Sequence, residues 1–260
     1  MQIKTFKAIR YFTPLREGGS LPAIIEGDSG QLFVVKFRGA GQGTKALIAE
    51  LLAGEIARRL ELDVPPIAFI ELGTEIAHSE GDPEILELLN WSVGLNLGLA
   101  YLPGAFMYNP LLQPPPDAEL ASQIVWFDAL MTNVDRTARN PNLLIWQKEM
   151  WLIDHGACLY FHHDWKDFMA RSLTPFPLIR DHTLLPFATR LTQADENSKS
   201  KLDPDFIRGL VSLIPDAWLD GTPFATPDLT RQAYFDYLQS RLNSSAVFVQ
   251  EAENARAQRI

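Results

Sequence analysis

The sequence predicts an α+β fold in two lobes, with a small β-rich lobe carrying one helix followed by a larger, mainly helical lobe. Three observations predict it. Through residues 1–104, short apolar runs alternate with glycine-rich turns around a single helical stretch. The run Gln113-Pro114-Pro115-Pro116-Asp117 then breaks the chain, because consecutive prolines continue neither a helix nor a central strand. Beyond it, apart from one short hairpin, the apolar spacing is mostly helical, with proline-marked loops. The lobes are placed at residues 1–104 and 105–260, together forming one domain.

The elements follow in order. Ala23-Ile24-Ile25-Glu26 and Leu32 to Phe37 flank the turn Gly27-Asp28-Ser29-Gly30 and read as a hairpin. A helix is predicted from Thr44, as N-cap, to Leu62, ending at Asp63 before Val64-Pro65-Pro66. Strands are predicted over Ile67 to Glu71 and Ser92 to Leu102, and a buried helix over Ala118 to Met131. Leu143 to Trp146 and Met150 to Ile153 read as two short strands around Gln147-Lys148-Glu149. Near the end, Thr226 caps a helix with Pro227 at its first position, and Tyr234, Tyr237 and Leu238 form its apolar stripe. Glu251 to Ile260 read as a fraying helical end.

Composition is that of a globular protein, 47% apolar and 21% charged, and 260 residues bury a core without disulfides or structural metals. The single Cys158 makes no internal disulfide, which fits a reducing cytoplasm. No signal-peptide core and no membrane-spanning stretch is visible. The net charge of −9 argues against a partner tracked through its phosphates, so nucleic acid is not expected.

The segment Asn133 to Gly156 carries the chemistry. Asp135 precedes Asn140 by five residues, and Asp154 ends the apolar run Trp151-Leu152-Ile153. Phosphoryl transfer needs such a set: one carboxylate to orient the proton of an attacking hydroxyl, and an amide oxygen with a second carboxylate to hold Mg²⁺ on nucleotide phosphates. The predicted hairpin returns Asp154 to the side of Asn140. Taken singly these are ordinary turn residues; the meaning lies in the set.

Upstream, Lys36 ends a Val-Val-Lys strand and is the candidate for the nucleotide phosphates. Its partner is sought on the next helix. Glu50 shares a face with Ala46, Ala53 and Ala57, suited to close packing, whereas Glu55 has Arg58 and Arg59 at ion-pair spacing. Glu50 is therefore the expected partner. Of two glycine-rich stretches, Gly18-Gly19-Ser20 lies between the first two predicted strands and suits a loop over the phosphates. Gly39-Ala40-Gly41-Gln42-Gly43-Thr44-Lys45 lacks the phosphate-loop order and reads as the connection into the helix.

With these residues in place the chain resembles the HipA-type kinases, in their compact form. Asn133, Asp135, Arg136 and Asn140 match that family's Asn-x-Asp-Arg/Gly-x-x-x-Asn loop, and Glu50 precedes Val64-Pro65 as the family's helix acid does. Tyr101-Leu102-Pro103-Gly104 looks like the hinge, where backbone groups of Ala100, Tyr101 and Leu102 would meet adenine. The likeness covers roughly residues 15–160. It implies a protein-kinase-like fold, ATP and Mg²⁺ as cofactors, Asp135 as base, Asn140 and Asp154 as metal ligands, and a protein Ser/Thr hydroxyl as acceptor. Lipid kinases share the Asn-x-Asp-Arg pattern, so a lipid head group or small molecule stays open, as do an inactive nucleotide-binding module and transfer of AMP. Thr137 departs from the His found there in many relatives.

Other clusters carry less. His155, His162 and His163 have no zinc spacing and read as core or solvated residues. No Gly-x-Ser-x-Gly elbow is present. Arg136 and Arg139 lie close enough to Asp135 in sequence to contact an acidic or phosphorylated substrate; Arg171 and Arg180 read as surface residues.

Overall fold

Residues 2–15, 21–77, 82–111 and 114–258 are described in the structure, a computed structural model. The chain runs β1 (Thr5–Pro14), β2 (Ala23–Gly27), β3 (Leu32–Lys36), α1 (Gly43–Arg59), β4 (Ile67–Leu72), α2 (Thr74–Ala77), α3 (Pro83–Trp91) and β5 (Gly94–Ala100). It continues through β6 (Phe106–Met107), α4 (Ala118–Met131), β7 (Leu143–Trp146), β8 (Glu149–Leu152), α5 (Phe168–Ser172), α6 (Leu191–Lys199), α7 (Pro204–Val211), α8 (Pro227–Asn243) and α9 (Ser245–Ala257). A β-rich N-terminal lobe and a larger helical C-terminal lobe result, as the sequence predicts.

The first five strands close into a barrel in the order β1-β2-β3-β5-β4, with β1 returning to β4 in parallel register, Thr5 opposite Phe69. The β2–β3 hairpin turns at Gly30, whose φ of +80° suits glycine. Side chains alternate along β3: Phe33 and Val35 fill the barrel, while Val34 and Lys36 point the other way, into a cleft below it. Residues 94–100 of the longer predicted strand are extended; Ser92 instead caps α3.

α1 differs from expectation at both ends. It starts at Gly43 after Gln42, with no side-chain cap, so Thr44 lies inside its first turn and is not the N-cap. It stops at Arg59 because Glu61 takes φ +65°, letting the Leu62 N–H reach the Ala57 carbonyl (3.0 Å) and the Glu61 N–H reach Arg58 (3.0 Å). Gly54 permits close packing on the barrel, since a Cβ there would stand 2.5 Å from Ile67.

α4 begins where Asp117 accepts the N–H groups of Glu119 (2.8 Å) and Leu120 (3.2 Å). It ends at Thr132, whose φ of +52° turns the chain into the loop 133–142. Arg241 of α8, buried, donates to the buried carbonyls of Ala129 (2.7 Å) and Leu130 (2.9 Å), placing a cation at the negative end of the helix. β7 and β8 are joined by Gln147 and Lys148, both with positive φ, a two-residue turn, so β8 starts at Glu149 and not Met150. β6, not anticipated from the sequence, adds to the edge of β7.

Beneath the 133–142 loop lies a buried charged group. Arg136 is 1% exposed and pairs with Asp128 of α4, which also accepts from His182 (2.8 Å). Its guanidinium further donates to the Asn142 carbonyl, so Arg136 is a structural clamp on the loop and is not available to a substrate. Burial alone would raise the Asp128 carboxyl, but Arg136 and then His182 outweigh it and hold it well below the usual carboxylate range. A depressed folded value gives stability that is complete above the unfolded value of about 4 and is lost as pH falls below it. Asp128→Asn leaves Arg136 buried without its counter-ion and is expected to cost roughly 3–5 kcal/mol at pH 7. In urea unfolding the gap to wild type should narrow from about pH 4 downward. A gap constant with pH would assign the loss to packing instead.

Candidate functional site

A cleft of about 490 Å³ lies between the barrel and the β6-β7-β8 sheet. Its apolar surfaces come from Val34, Leu99, Pro65, Met107, Leu144 and Ile153, and its polar end holds Lys36, Asp135, Asn140, Asn142 and Asp154. Lys36, Asp135, Asn140 and Asp154, singled out from the sequence as catalytic or metal-binding, therefore line one cavity with Ala100, Tyr101 and Leu102 of the expected hinge, and Glu50 stands directly behind Lys36. Gly18, Gly19 and Ser20 lie outside the described residues.

Lys36 is the centre of charge. Its Nζ donates to Glu50 Oε2 and to Asp154 Oδ1, each at 2.6 Å. Burial would push the ammonium down, but Glu50 and then Asp154 outweigh it and hold its pKa above the ordinary value. The Glu50 carboxyl, fully buried, would likewise be raised by burial, yet Lys36 and then His155 keep it well below the usual range. Glu55 pairs instead with Arg58 at 3.2 Å, as its spacing predicts, although its side chain is only 11% exposed.

Asp154 sits at φ +56°, a left-handed conformation that Asp tolerates better than most residues. The β7–β8 hairpin sets it there, with the Ile153 N–H bonded to the Asn142 carbonyl (3.1 Å). Asp135 is half-buried, and its Oδ2 accepts from Asn140 Nδ2 (2.8 Å) and Asn142 Nδ2 (3.3 Å). The loop is tightened by the Thr137 N–H, which meets both the Asp135 and the Asn140 carbonyl (2.9 and 3.0 Å).

The strand leaving the barrel supplies backbone groups. Ala100 donates to the Pro66 carbonyl (2.9 Å) and Tyr101 to that of Leu32 (3.0 Å). Pro66 has no N–H to return the bond, so the Ala100 carbonyl keeps its acceptor capacity. Among the described residues no acceptor meets the Leu102 N–H.

Compared with known proteins, the sequence profile of the HipA-like kinases matches residues 9–244. The chain belongs to this family. It is accordingly a kinase, a transferase of phosphoryl groups. No curated protein sequence matches it. Among solved structures, the Helicobacter pylori proinflammatory kinase CtkA is similar with a TM-score of 0.54 at 13% identity, covering 99% of both chains. The Golgi casein kinase with Mn and ADP bound is similar with a TM-score of 0.51 at 12% identity, covering 99% of this chain and 76% of that one. Both likenesses are of fold.

In this HipA-like kinase several site residues escape a reading of the sequence. Asn142 looks like part of a loop, and only its place beside Asp135 gives it weight; its spacing two residues beyond Asn140 was the available signal. His155 is buried against Glu50 and not solvated, its backbone N–H donating to Oε2 (2.7 Å) and its Nδ1 lying 3.3 Å from Oε1. His162 is a core residue bonded to the Tyr234 hydroxyl (3.0 Å). Ala40 to Gly43, the connection into α1, also wall the cleft. Arg171 is held by the carbonyls of Phe161 and Asp164, while Arg139 is exposed.

The two glutamates should separate in stability. Glu50→Gln weakens charged hydrogen bonds in a buried site and is expected to cost roughly 1.5–3 kcal/mol. Glu55→Gln weakens one ion pair to a partly exposed arginine and should cost less, about 0.5–1 kcal/mol. Urea midpoints measure both, and equal losses would contradict the assignment.

Proposed function

We propose that this kinase transfers the γ-phosphoryl group of ATP, with Mg²⁺, to a Ser or Thr hydroxyl of a protein. The observation that carries the proposal is the single ammonium of Lys36 gathering Glu50 and Asp154 at 2.6 Å in the cleft that also holds Asp135 and Asn140. An acceptor at the Ala100 carbonyl and a donor at the Leu102 N–H, two residues apart, suit the amino group and adjacent ring nitrogen of adenine. The apolar side chains of Val34, Leu99 and Leu144 suit its flat faces.

In this reading Lys36 binds the α- and β-phosphates, with Gly18, Gly19 and Ser20 over them by their place in the sequence. Asn140 turns its amide nitrogen to Asp135, which leaves its oxygen for a hard cation, and Asp154 keeps Oδ2 beside the oxygen that Lys36 holds. Bound Mg²⁺ would neutralise charge on the β- and γ-phosphates. Asp135, with Oδ2 fixed by two amides, presents Oδ1 to orient and accept the acceptor's proton. The Golgi casein kinase, which holds Mn and ADP, supports a divalent cation with an adenine nucleotide and a protein acceptor. We divide the lobes between residues 104 and 105, and place the protein in the cytoplasm on the strength of its one cysteine. Among the described residues no helix is long and apolar enough to cross a membrane.

Incubation with Mg²⁺ and γ- or α-labelled ATP, read by mass spectrometry of the protein and of a host lysate, tests the proposal. Label from the γ-position on Ser or Thr supports it; α-label indicates nucleotidyl transfer, and binding without transfer indicates a binding module. Asp135→Asn should leave Mg–ATP affinity within a few-fold and reduce transfer by roughly 10²–10⁴. Full activity in that variant would place the base elsewhere. Asp154→Ala should abolish the Mg²⁺ dependence of nucleotide binding, because the triphosphate loses a charged metal ligand. Titration calorimetry with and without Mg²⁺ measures this, and unchanged dependence would exclude Asp154 as a ligand.

A further inference from the structure

We propose that His155 is a positioning residue of this site: its ring N–H fixes Glu50 and, through Glu50, the Lys36 ammonium. The inference rests on the functional reading above only for its catalytic consequence.

Glu50 Oε2 is held twice, by Lys36 (2.6 Å) and by the His155 backbone N–H (2.7 Å). Its Oε1 is met, among the described residues, by His155 Nδ1 alone, at 3.3 Å. Facing a carboxylate oxygen, Nδ1 carries the hydrogen. Lys36, Glu50, His155 and Asp154 thus form a closed ring. Three of its links are hydrogen bonds, and the fourth is the peptide bond between Asp154 and His155. The ring joins α1 to the strand lysine and to the residue after the hairpin, 105 positions further along the chain than Glu50.

Packing does not explain a histidine here. The ring is 1% exposed and stands edge-on to Phe127, with centroids 5.6 Å apart, an environment that suits phenylalanine. Its Nε2 is buried and finds no partner among the described residues, an unfavourable state for a polar atom. A residue that leaves one nitrogen unsatisfied is accounted for by what its other nitrogen does. A carboxylate with only Oε2 anchored can swing about that contact. With both oxygens held it fixes where the lysine points, the requirement for placing phosphates.

Two substitutions separate the donor from the ring. His155→Phe keeps the aromatic volume and removes the N–H; His155→Asn keeps an N–H near the Nδ1 position and removes volume. The expected order is crossed. The Phe variant melts close to wild type but loses roughly tenfold in kcat/KM for ATP, while the Asn variant melts lower yet recovers most of the transfer. A purely structural histidine would give the reverse, activity following thermal stability.

A second measurement is independent of catalysis. Acetic anhydride labelling of Lys36 without nucleotide, read by mass spectrometry, should be several-fold faster in His155→Phe than in wild type, and close to wild type in His155→Asn. Equal labelling in wild type and His155→Phe overturns the inference. Labelling that follows the expected order in a wild type that transfers no phosphate leaves the positioning role standing and removes the functional reading.

Discussion

A lysine ammonium almost enclosed by protein, with two carboxylates at 2.6 Å, is the constraint around which this molecule is arranged. Removing Lys36 from water is costly, and only close opposite charge offsets that cost. Each carboxylate comes from a different part of the chain. Glu50 requires α1 to lie against the barrel, which small residues such as Gly54 allow. Asp154 requires the β7–β8 hairpin to end at the correct residue in a left-handed turn. The charge arrangement and the fold therefore specify each other: shifting α1 by one residue would turn Glu50 away and leave the ammonium unpaired on that side.

The second centre lies deeper, behind the wall of the cleft, and meets it through the backbone of Asn142. Arg136 is joined to Asp128 on α4 and to the Asn142 carbonyl, so the loop bearing Asp135 and Asn140 is anchored from below while its amides orient Asp135 from above. Arg241 supports the same region from behind by meeting the carbonyls at the end of α4. A short irregular loop gains its rigidity from buried cations, since it has no ladder of its own. Such anchoring suits residues whose orientation has to persist within tenths of an ångström.

Local signals carried much of this architecture. The helix at 118–131 was legible because a proline break precedes it and its apolar spacing is continuous. Glu50 could be told from Glu55 because helical phase places the first beside alanines and the second beside arginines. The β7–β8 turn is one residue shorter than the sequence predicts, since composition does not show that Gln147 and Lys148 both adopt positive φ. Arg136 is not legible as a buried clamp for a general reason: an arginine beside a loop aspartate has the same sequence whether it faces solvent or a buried partner, and Asp128 sits in a different element. His155, Asn142 and the short β6 were missed because their significance depends on contacts across the chain. Family likeness supplied the set of roles, and geometry decided which neighbours act together.

The parallel return of β1 to β4 has a bearing on how the chain acquires its shape. Thr5 meets Phe69 across more than sixty intervening residues, and β5 has still to enter between β3 and β4, so the barrel cannot close until both strands that follow α1 have formed. The first strand thus precedes the rest of the barrel in the chain yet waits for β4, while β3 and β4 in turn wait for β5. During that interval the lower part of β1 and one side of β4 carry unpaired backbone groups, the kind of edge that recruits foreign strands. The interval during which the nascent lobe is vulnerable to misassembly is set by these long-range pairings of β1 with β4 and of β3 with β5.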